Sequence, residues 1–277
     1  MKSEMNEHFQ ANQKLWDAWT QEHEKSAFYD VAGFKAGKDR LRSVELDELS
    51  PVIVGKSLLH LQCHFGLDTL AWARRGATVT GVDFSPQSID LARSLSHELS
   101  IPAEFVCSDV YHLPQVLTGQ FDIVFTSYGV LHWLDDLRRW AEVIAHFLKP
   151  GGIFYIVEDH PTMRMFSSQD ETKMELANPY FFSPTPDPVE TQGSYASPDN
   201  ADSYQFYLWN HSLGEVITSL ISAGLHIEYL HEFPYAARAK FPMMEKGVDG
   251  WWRLPPQYIQ IPFLFSLRAR NMRETDR

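Results

Sequence analysis

The sequence predicts an α/β protein built around a parallel β-sheet. From residue 57 onward, short apolar runs alternate with helical stretches, a pattern typical of βα units. The chain has 277 residues, of which 44% are apolar and 22% are charged, as expected for a soluble globular protein. A chain of this length forms one large domain or two small ones, and it buries roughly three quarters of its unfolded surface without needing disulfides or metals.

The expected elements follow in chain order. Strands are predicted at 57–63, 77–84, 103–107, 121–126 and 153–157, and two more at 225–233 and 261–267. Helices are predicted at 68–75, from Pro86 onward with Ser85 as its N-cap, at 136–148, and from Ser212 to Ala223. Ser212 and Glu215 form a capping-box pattern, and Gly76 and Gly224 are suited to end the helices that precede them.

Two regions differ from this alternation. Residues 1–50 are predicted to be helical and amphipathic, and to cover the core at 51–160. Residues 161–208 are rich in Pro, Ser, Thr, Asp and aromatic residues and have no clear period. A connection of this length favours a lid or a substrate loop. A disordered insertion is the alternative, against which the aromatic content argues. We expect a single domain over 1–277, completed by a last helix and strand pair at 209–270.

Charge and cysteine content limit the partners. The chain carries 36 acidic against 24 basic residues, a net charge of −12, which argues against broad contact with nucleic acid or anionic membranes. No stretch approaches the ~20 apolar residues that span a bilayer, and the first ten residues lack the apolar run of a signal peptide. Cys63 and Cys107 are both predicted in buried strands, as free thiols of a reducing compartment usually are. We expect a cytoplasmic protein.

Polar residues at the ends of the predicted strands indicate a nucleoside site, because ligands of such sheets bind at the carboxyl ends of the strands. Asp83 ends the second strand, 17 residues after Gly66, and is placed to accept both hydroxyls of a ribose. A turn-forming Asp is the alternative. Phe84 is suited to stack on an adenine. Asp109, after the third strand, is placed to accept from the adenine amino group, and the Val110 N–H to donate to the ring.

Two features of dinucleotide-binding proteins are missing. The loop after the first strand is QCHFG, in which only Gly66 remains of a G-x-G-x-x-G pattern. The chain also does not continue into a second mononucleotide half. A nicotinamide cofactor is therefore the weaker interpretation.

Four segments carry a resemblance to a known family. The run LLHLQCHFGLDTLAWARRGATVTGVDFSPQSIDLAR, followed by SDVYHLP, FDIVFTSYGVLHWL and LKPGGIFYIVE, resembles the class I S-adenosylmethionine-dependent methyltransferases. The resemblance covers about 57–160 and extends through 210–270. It implies a Rossmann-like, doubly wound sheet of seven strands in which the last strand lies antiparallel beside the fifth. It also implies S-adenosyl-L-methionine as cofactor and S-adenosyl-L-homocysteine as product.

The first motif departs from the family pattern, D-x-G-x-G-x-G. His60 stands at the position of the acid, and Gln62 and His64 stand at the first two glycines. Glycine supplies a positive φ and close backbone approach, so the methionine end of the cofactor is expected to be held differently. Gln62 is suited to donate to the cofactor carboxylate. His60 and His64 suggest a metal pair, but no third ligand is evident, and no metal is expected.

The cofactor-binding residues implied by the resemblance extend beyond the nucleoside site. The full expected set is Tyr29, Leu61, Gln62, His64, Gly66, Asp83, Phe84, Ser85, Asp109, Val110 and Ser127. For Tyr29 and its neighbour Phe28, packing in the core is an equal alternative to covering the methionyl group.

Residues near the transfer site leave the mechanism open. His132 follows the fourth strand and is the candidate general base, since His titrates nearest neutral pH; packing beside Trp133 is the alternative. Glu158, Asp159 and His160 end the fifth strand and bind the substrate, orient it, or start a turn. Methyl transfer is an in-line displacement that depends mainly on alignment and exclusion of water, and it needs a base only when the nucleophile carries a proton.

The sequence therefore predicts a methyltransferase that acts on a small-molecule acceptor. A non-catalytic S-adenosylmethionine-binding protein is one alternative, supported by the altered glycine loop. A nucleotide-dependent oxidoreductase is another, and the missing glycines disfavour it.

Overall fold

The computed structural model describes residues 2–167 and 173–272. The helices are α1 (Lys2–Lys25), α2 (Val31–Lys35), α3 (Ser43–Leu49), α4 (Leu67–Arg74), α5 (Pro86–Leu99), α6 (Leu113–Val116), α7 (Leu137–Phe147), α8 (Pro161–Met165) and α9 (Leu213–Ser222). The strands are β1 (Ser57–Leu61), β2 (Thr78–Asp83), β3 (Glu104–Cys107), β4 (Phe121–Ser127), β5 (Leu148–Asp159), β6 (Asp187–Gln192), β7 (Ser203–Leu208), β8 (Leu225–Phe233), β9 (Tyr235–Ala236), β10 (Glu245–Lys246), β11 (Trp252–Arg253) and β12 (Leu264–Asn271).

The central sheet has seven strands in the order β3-β2-β1-β4-β5-β12-β8. Strands β1 to β5 pair in parallel, and β12 lies antiparallel between β5 and β8. This arrangement confirms the predicted Rossmann-like sheet with an antiparallel last strand. The strand order reverses direction between β1 and β4, which creates a crevice at the carboxyl ends of these two strands.

Both faces of the sheet are buried, as a parallel sheet requires. Successive side chains of β1 alternate between the faces: Leu58 packs with Trp72 of α4, and Leu59 packs with Trp140 of α7, all four of them fully buried. The N-terminal helices α2 and α3 join the first face, and α9 joins the second. The apolar layers on the two faces of the sheet hold its strands in place, and thereby position the carboxyl ends of the strands.

The helix caps are those that the sequence predicts. Ser85 accepts a hydrogen bond from the Ser88 N–H at the start of α5, and Ser212 accepts one from the Glu215 N–H at the start of α9. The last strand starts later than predicted, at Leu264, because Pro262 has no N–H to offer to a strand ladder.

Region 161–208 contains regular structure that the sequence did not reveal. Its strands β6 and β7 form an antiparallel hairpin that packs against α1. The Asn12 side chain of α1 binds the backbone of Tyr207 twice, donating to its carbonyl and accepting from its N–H, both at 2.8 Å. Phe206 and Leu208, two residues apart, both face α1, and this spacing of two is typical of a strand. The part of 161–208 that the structure describes is therefore partly an ordered hairpin rather than a loop without a period.

The cysteines differ in burial, which corrects one expectation. Cys63 is buried in the loop after β1, but Cys107 is exposed, because it ends β3 at the edge of the sheet. Both thiols are free. Among the described residues, no helix has the length and apolar character needed to cross a membrane.

Candidate active site

A cavity of ≈ 570 Å³ opens at the carboxyl ends of β1, β2 and β4. It lies at the point where the strand order reverses, where ligands bind in sheets of this type. Its walls come from the loop after β1, the segment after β4, helix α1 and the β6–β7 hairpin. The volume falls within the range of small-molecule sites.

The loop after β1 keeps a glycine-like backbone without the glycines. Gln62 has φ 56° and His64 has φ 51°, both in the left-handed region that non-glycine residues rarely occupy. Strain of this kind costs about 1–3 kcal/mol per residue. The His64 N–H offsets part of it by donating to Asp83 Oδ2 at 2.8 Å. At Gly66, by contrast, an added Cβ would lie 2.6 Å from the Phe105 ring, so only glycine fits.

Asp83 is the buried acid of the site, with only 7% of its surface exposed. Its Oδ2 accepts from the His64 N–H and its Oδ1 accepts from the Ser85 N–H at 2.9 Å. Burial raises the pKa of Asp83 to about 6, against the lowering effect of these hydrogen bonds. The group is therefore mainly ionised at pH 7. Each carboxylate oxygen has a second lone pair with which to accept from a ligand hydroxyl.

A chain of hydrogen bonds joins the loop after β1 to its surroundings. The ring of His64 bonds Ser88 Oγ of α5 at 2.9 Å and the ring of His23 of α1 at 3.0 Å. His23 in turn bonds Ser194 Oγ of the region after β6 at 3.0 Å. Burial lowers the pKa of His23 to about 3 and that of His64 well below its usual value. Both imidazoles are therefore neutral, and this series of hydrogen bonds contains no charged group.

Aromatic rings of α1 and the hairpin roof the cavity. The Trp16 ring lies 5.2 Å from that of Trp133, which lies 5.4 Å from that of Phe206. The hydroxyls of Tyr29 and Tyr195 meet at 2.5 Å. Segments distant in the sequence therefore cover the cavity together.

Glu158, at the end of β5, holds the segment that follows β4. It is 2% exposed, and its carboxylate accepts from the backbone N–H groups of Gly129, Val130, Leu131 and Asp159. Burial, followed by the neighbouring Asp159 charge, raises the pKa of Glu158 to about 7. Glu158 therefore positions the segment after β4, a role that was not among the three expected for it.

Its two neighbours act differently. Asp159 lines the cavity, and its Oδ2 lies 3.4 Å from Arg238. His160 caps α8 by accepting from the Thr162 N–H, and its Nε2 lies 2.8 Å from Glu232. His160 therefore begins a helical turn, whereas Asp159 faces the ligand space.

His132 lines the cavity beside Trp133. Burial lowers the pKa of His132 well below its usual value, and the nearby charges of Arg164, Arg238 and Lys240 lower it further. The imidazole is therefore neutral at physiological pH, but it is a weak proton acceptor.

The structure brings together most of the sequence-predicted site residues. Those that line the cavity are Tyr29, Gln62, His64, Gly66, Asp83, Phe84, Ser127 and His132. Four others lie outside its wall. Leu61 is fully buried in the core, and Val110 is buried beneath the second face of the sheet. The Ser85 hydroxyl donates to Asp17, and Asp109 accepts from the N–H groups of Tyr111 and His112 in its own turn.

Sequence reasoning missed several cavity residues that are not at strand ends. Arg40 lies in the N-terminal cover and its Nε is 3.5 Å from Asp68 at the start of α4. Arg164, Arg238 and Lys240 come from the regions after β5 and β9. The one signal that pointed to them is their charge, since they are basic residues in an acidic chain.

The two histidines of the suggested metal pair have different hydrogen-bond partners in the structure. His60 is 2% exposed and bonds Thr69 Oγ1 at 2.8 Å, whereas His64 bonds Ser88 and His23. Over residues 2–167 and 173–272, no group of three or more His, Cys, Asp or Glu residues is arranged to hold a metal ion.

We expect His60 to make the protein sensitive to acid. Burial lowers its pKa from 6.5 to about 3, so below pH 6.5 the unfolded chain binds a proton that the folded chain does not. Stability then falls as the pH drops toward 3, by about 1.4 kcal/mol per pH unit from this group. For His60→Gln, urea unfolding at several pH values between 6 and 4 should give a free energy of unfolding that depends less steeply on pH, by that amount. An unchanged slope would contradict the assignment, whatever the variant's stability at pH 7.

Comparison with known proteins agrees with this fold. A family model described as a methyltransferase domain matches residues 59–156. An uncharacterized methyltransferase of Synechocystis sp. is 32% identical over 155 residues, which cover 51% of this chain and 69% of that protein. A ubiquinone biosynthesis O-methyltransferase of Bordetella avium is 30% identical over 129 residues, which cover 46% of this chain and 53% of that protein. The chain thus spans about half the length of the ubiquinone-biosynthesis relative.

Solved structures share the fold at low sequence identity. An S-adenosylmethionine-dependent methyltransferase from Mesorhizobium loti has a TM-score of 0.52 at 19% identity, over 82% of this chain and 96% of that one. A glycopeptide N-methyltransferase solved with S-adenosylmethionine has a TM-score of 0.55 at 16% identity, over 84% and 87%.

Fold and cavity together define a Rossmann-like α/β protein with a cavity at the switch point of its sheet. The chain belongs to the class I S-adenosylmethionine-dependent methyltransferases, as its motifs predicted. The cofactor of this family is S-adenosyl-L-methionine.

The altered loop has a polar atom that fits this cofactor. The Gln62 amide donates through Nε2 to the Val130 carbonyl at 3.1 Å, while its Oε1 is buried in the cavity wall and has no hydrogen-bond partner among the described residues. A buried acceptor of this kind requires a donor. The amino group of a bound methionyl moiety is such a donor, so the residues present fit the cofactor.

Proposed function

We propose that this protein transfers a methyl group from S-adenosyl-L-methionine to a small-molecule acceptor. The observation that carries the proposal is a single cavity that extends from Asp83 and Phe84 to the residues after β4 and β5. A nucleoside held at one end and an acceptor held at the other then share one enclosed space. The net charge of −12 supports a small acceptor rather than a nucleic acid.

In the proposed complex, Asp83 holds the ribose hydroxyls and Phe84 lies beside the adenine. Gln62 and Arg40, both in the cavity wall, hold the amino and carboxylate groups of the methionyl end. When bound, the cofactor supplies an electrophilic methyl group on a positively charged sulfur. The chain contributes alignment through the Glu158-held segment and exclusion of water through the aromatic roof.

The proposed lid is the described part of 161–208 that contacts α1. Its support is the packing of Phe206 and Leu208 on Leu15 and Trp19, and the contact of Tyr195 with Tyr29 over the cavity. The two free cysteines, one of them exposed, support a reducing compartment such as the cytoplasm.

Calorimetric titration with S-adenosylhomocysteine, NAD and NADP tests the cofactor assignment. Of these three ligands, we expect only S-adenosylhomocysteine to bind. When a panel of phenols, thiols and amines is added with S-adenosylmethionine, we expect release of homocysteine-containing product. Binding without turnover for any acceptor class would favour a non-catalytic binding protein. Binding of a nicotinamide dinucleotide instead would favour an oxidoreductase.

We infer that proximity rather than base catalysis carries the reaction, because His132 is a weak base in its surroundings. His132→Asn is expected to lower the single-turnover rate by less than about tenfold, whereas loss of an essential base costs about 10²–10⁴-fold. No inflection of rate near neutral pH is expected from this group, since its pKa lies well below 6.5. His146→Asn, an exposed change on α7, is the matched control. A loss above a hundredfold with disappearance of a neutral inflection would show that His132 is an essential base.

A further inference from the structure

One end of the cavity carries positive charge that the proposed cofactor contacts leave unused. Arg164, Arg238 and Lys240 all line the wall near His132, beyond the ends of β4 and β5. The acid that lines the cavity among them is Asp159. The chain as a whole has a net charge of −12, so this local excess of cations runs against its composition.

The partners of these side chains satisfy them only in part. Arg164 Nε donates to Asn210 Oδ1 at 3.1 Å, and Asn210 donates to Asp187 at 2.7 Å, which fixes the guanidinium indirectly. Arg238 Nη2 lies 3.4 Å from Asp159 Oδ2. Within residues 2–167 and 173–272, the Lys240 ammonium makes no hydrogen bond or ion pair.

The nearby acids do not fully offset the cost of holding these charges together. Burial lowers the pKa of Lys240 to about 8, and the charges of Arg238 and Arg164 lower it further. Burial also lowers the pKa of Arg164 to about 10, although Asp187, Asp159 and Glu158 act in the opposite direction. Half-buried cations that repel one another are stabilised by a carboxylate or phosphate, with which arginine makes paired hydrogen bonds.

We propose that Arg164, Arg238 and Lys240 form a subsite for an anionic group, a carboxylate or a phosphate, on the methyl acceptor. This inference rests on the proposed function, since it names the class of substrate that the same cavity takes. Bound there, the anion anchors the acceptor beside His132 and the segment after β4. Acceptors are then selected by the distance between their anionic group and their attacking atom.

The cofactor's own carboxylate is the competing ligand for these cations. Arg40, which pairs with Asp68 beside the loop after β1, and Arg42 are further cations in the cavity wall, and we assign Arg40 to the cofactor side. The two possibilities differ in which ligand loses affinity when the cluster is neutralised.

The test uses the full chain saturated with S-adenosylhomocysteine and titrated with benzoate, phenyl phosphate and benzamide. We expect one of the two anions to bind at least about tenfold more tightly than neutral benzamide, as for loss of a charged hydrogen bond. Lys240→Met and Arg164→Gln should each remove this preference and leave the affinity for S-adenosylhomocysteine unchanged. Arg138→Gln, an exposed change on α7, should alter neither. Whichever anion binds more tightly assigns the group as carboxylate or phosphate.

Two results would overturn the subsite while leaving the proposed function in place. One is equal binding of anions and benzamide to a protein that binds S-adenosylhomocysteine. The other is a loss of affinity for S-adenosylhomocysteine in Lys240→Met or Arg164→Gln with no loss for methylthioadenosine, which lacks the amino-acid end. That pattern would assign the cluster to the cofactor carboxylate. Failure of S-adenosylhomocysteine to bind the unaltered protein would overturn the proposed function, and the subsite with it.

Discussion

Asp83→Ala is expected to weaken the binding of S-adenosylhomocysteine by about ten- to hundredfold, equivalent to about 1.5–3 kcal/mol. The carboxylate is buried at the cavity wall, so loss of its two acceptor oxygens leaves the ribose hydroxyls without their protein partners. Because its pKa is about 6, the ionised form that accepts both hydroxyls is present above pH 6 and is lost as the pH falls through that value. Cofactor affinity should decline over the same range.

Calorimetry of Asp83→Ala, Asp83→Asn and the unaltered protein between pH 5.5 and 8 measures both effects. The Asn variant keeps one acceptor oxygen and should lose the pH dependence. Asp90→Ala is the control, because this acid is exposed on α5 and pairs with Arg93. Thermal unfolding of each variant shows whether the His64 and Ser85 N–H groups, deprived of their acceptor, weaken the fold. A dissociation constant unchanged in a folded Asp83→Ala protein would remove Asp83 from the cofactor site.

Glu158→Ala should have the largest effect on stability, because one side chain accepts from four backbone N–H groups. An unpaired buried donor costs about 1–3 kcal/mol, and partial entry of water reduces the sum. We therefore expect a loss of at least about 3 kcal/mol in the free energy of unfolding. The released segment lies between Ser127, the last residue of β4, and His132, so turnover should fall more steeply than cofactor affinity.

Urea unfolding and single-turnover methyl transfer measure these two effects separately. Glu158→Gln keeps the volume and one acceptor oxygen, and should fall between the unaltered protein and the Ala variant in both measurements. Glu142→Ala, an exposed change on α7, should shift stability by no more than about 0.5 kcal/mol. Stability of Glu158→Ala within that same margin would show that the four contacts do not hold the segment.

The parts of the fold that sequence reasoning predicted are those set by local chemistry. Ser85 and Ser212 predict helix starts because an N-cap needs a side-chain oxygen that accepts from the N–H a few residues later. Asp83 and Gly66 are found because strand ends meet at one edge of a parallel sheet. The seven-stranded order itself came from the family resemblance rather than from the period of any one strand.

The parts that were missed depend on contacts between distant segments. Lys240 and Arg164 meet beside His132 only after the chain has folded, and nothing within a few residues of either marks a ligand site. Asp109 had the expected position after a strand, but its carboxylate accepts from two N–H groups of its own turn and is not part of the cavity wall. The β6–β7 hairpin was missed because its apolar alternation is short, with Phe206 and Leu208 as its buried members, and because their apolar partners lie on α1.

The neutral histidine chain has a direction. Ser194 Oγ accepts from the N–H groups of Ala196 and Ser197, which fill its lone pairs, so its proton goes to His23 Nε2. His23 must then donate through Nδ1 to His64 Nε2, and His64 through Nδ1 to Ser88.

At the far end, Thr20 donates to the Trp16 carbonyl, so it accepts from Ser88. One tautomer of each imidazole is thereby selected, and the whole series is a one-way relay of donors. A change that makes Ser194 accept from His23 instead of donating to it would also reverse donor and acceptor at Ser88, although the two residues are separated by 106 positions in the chain.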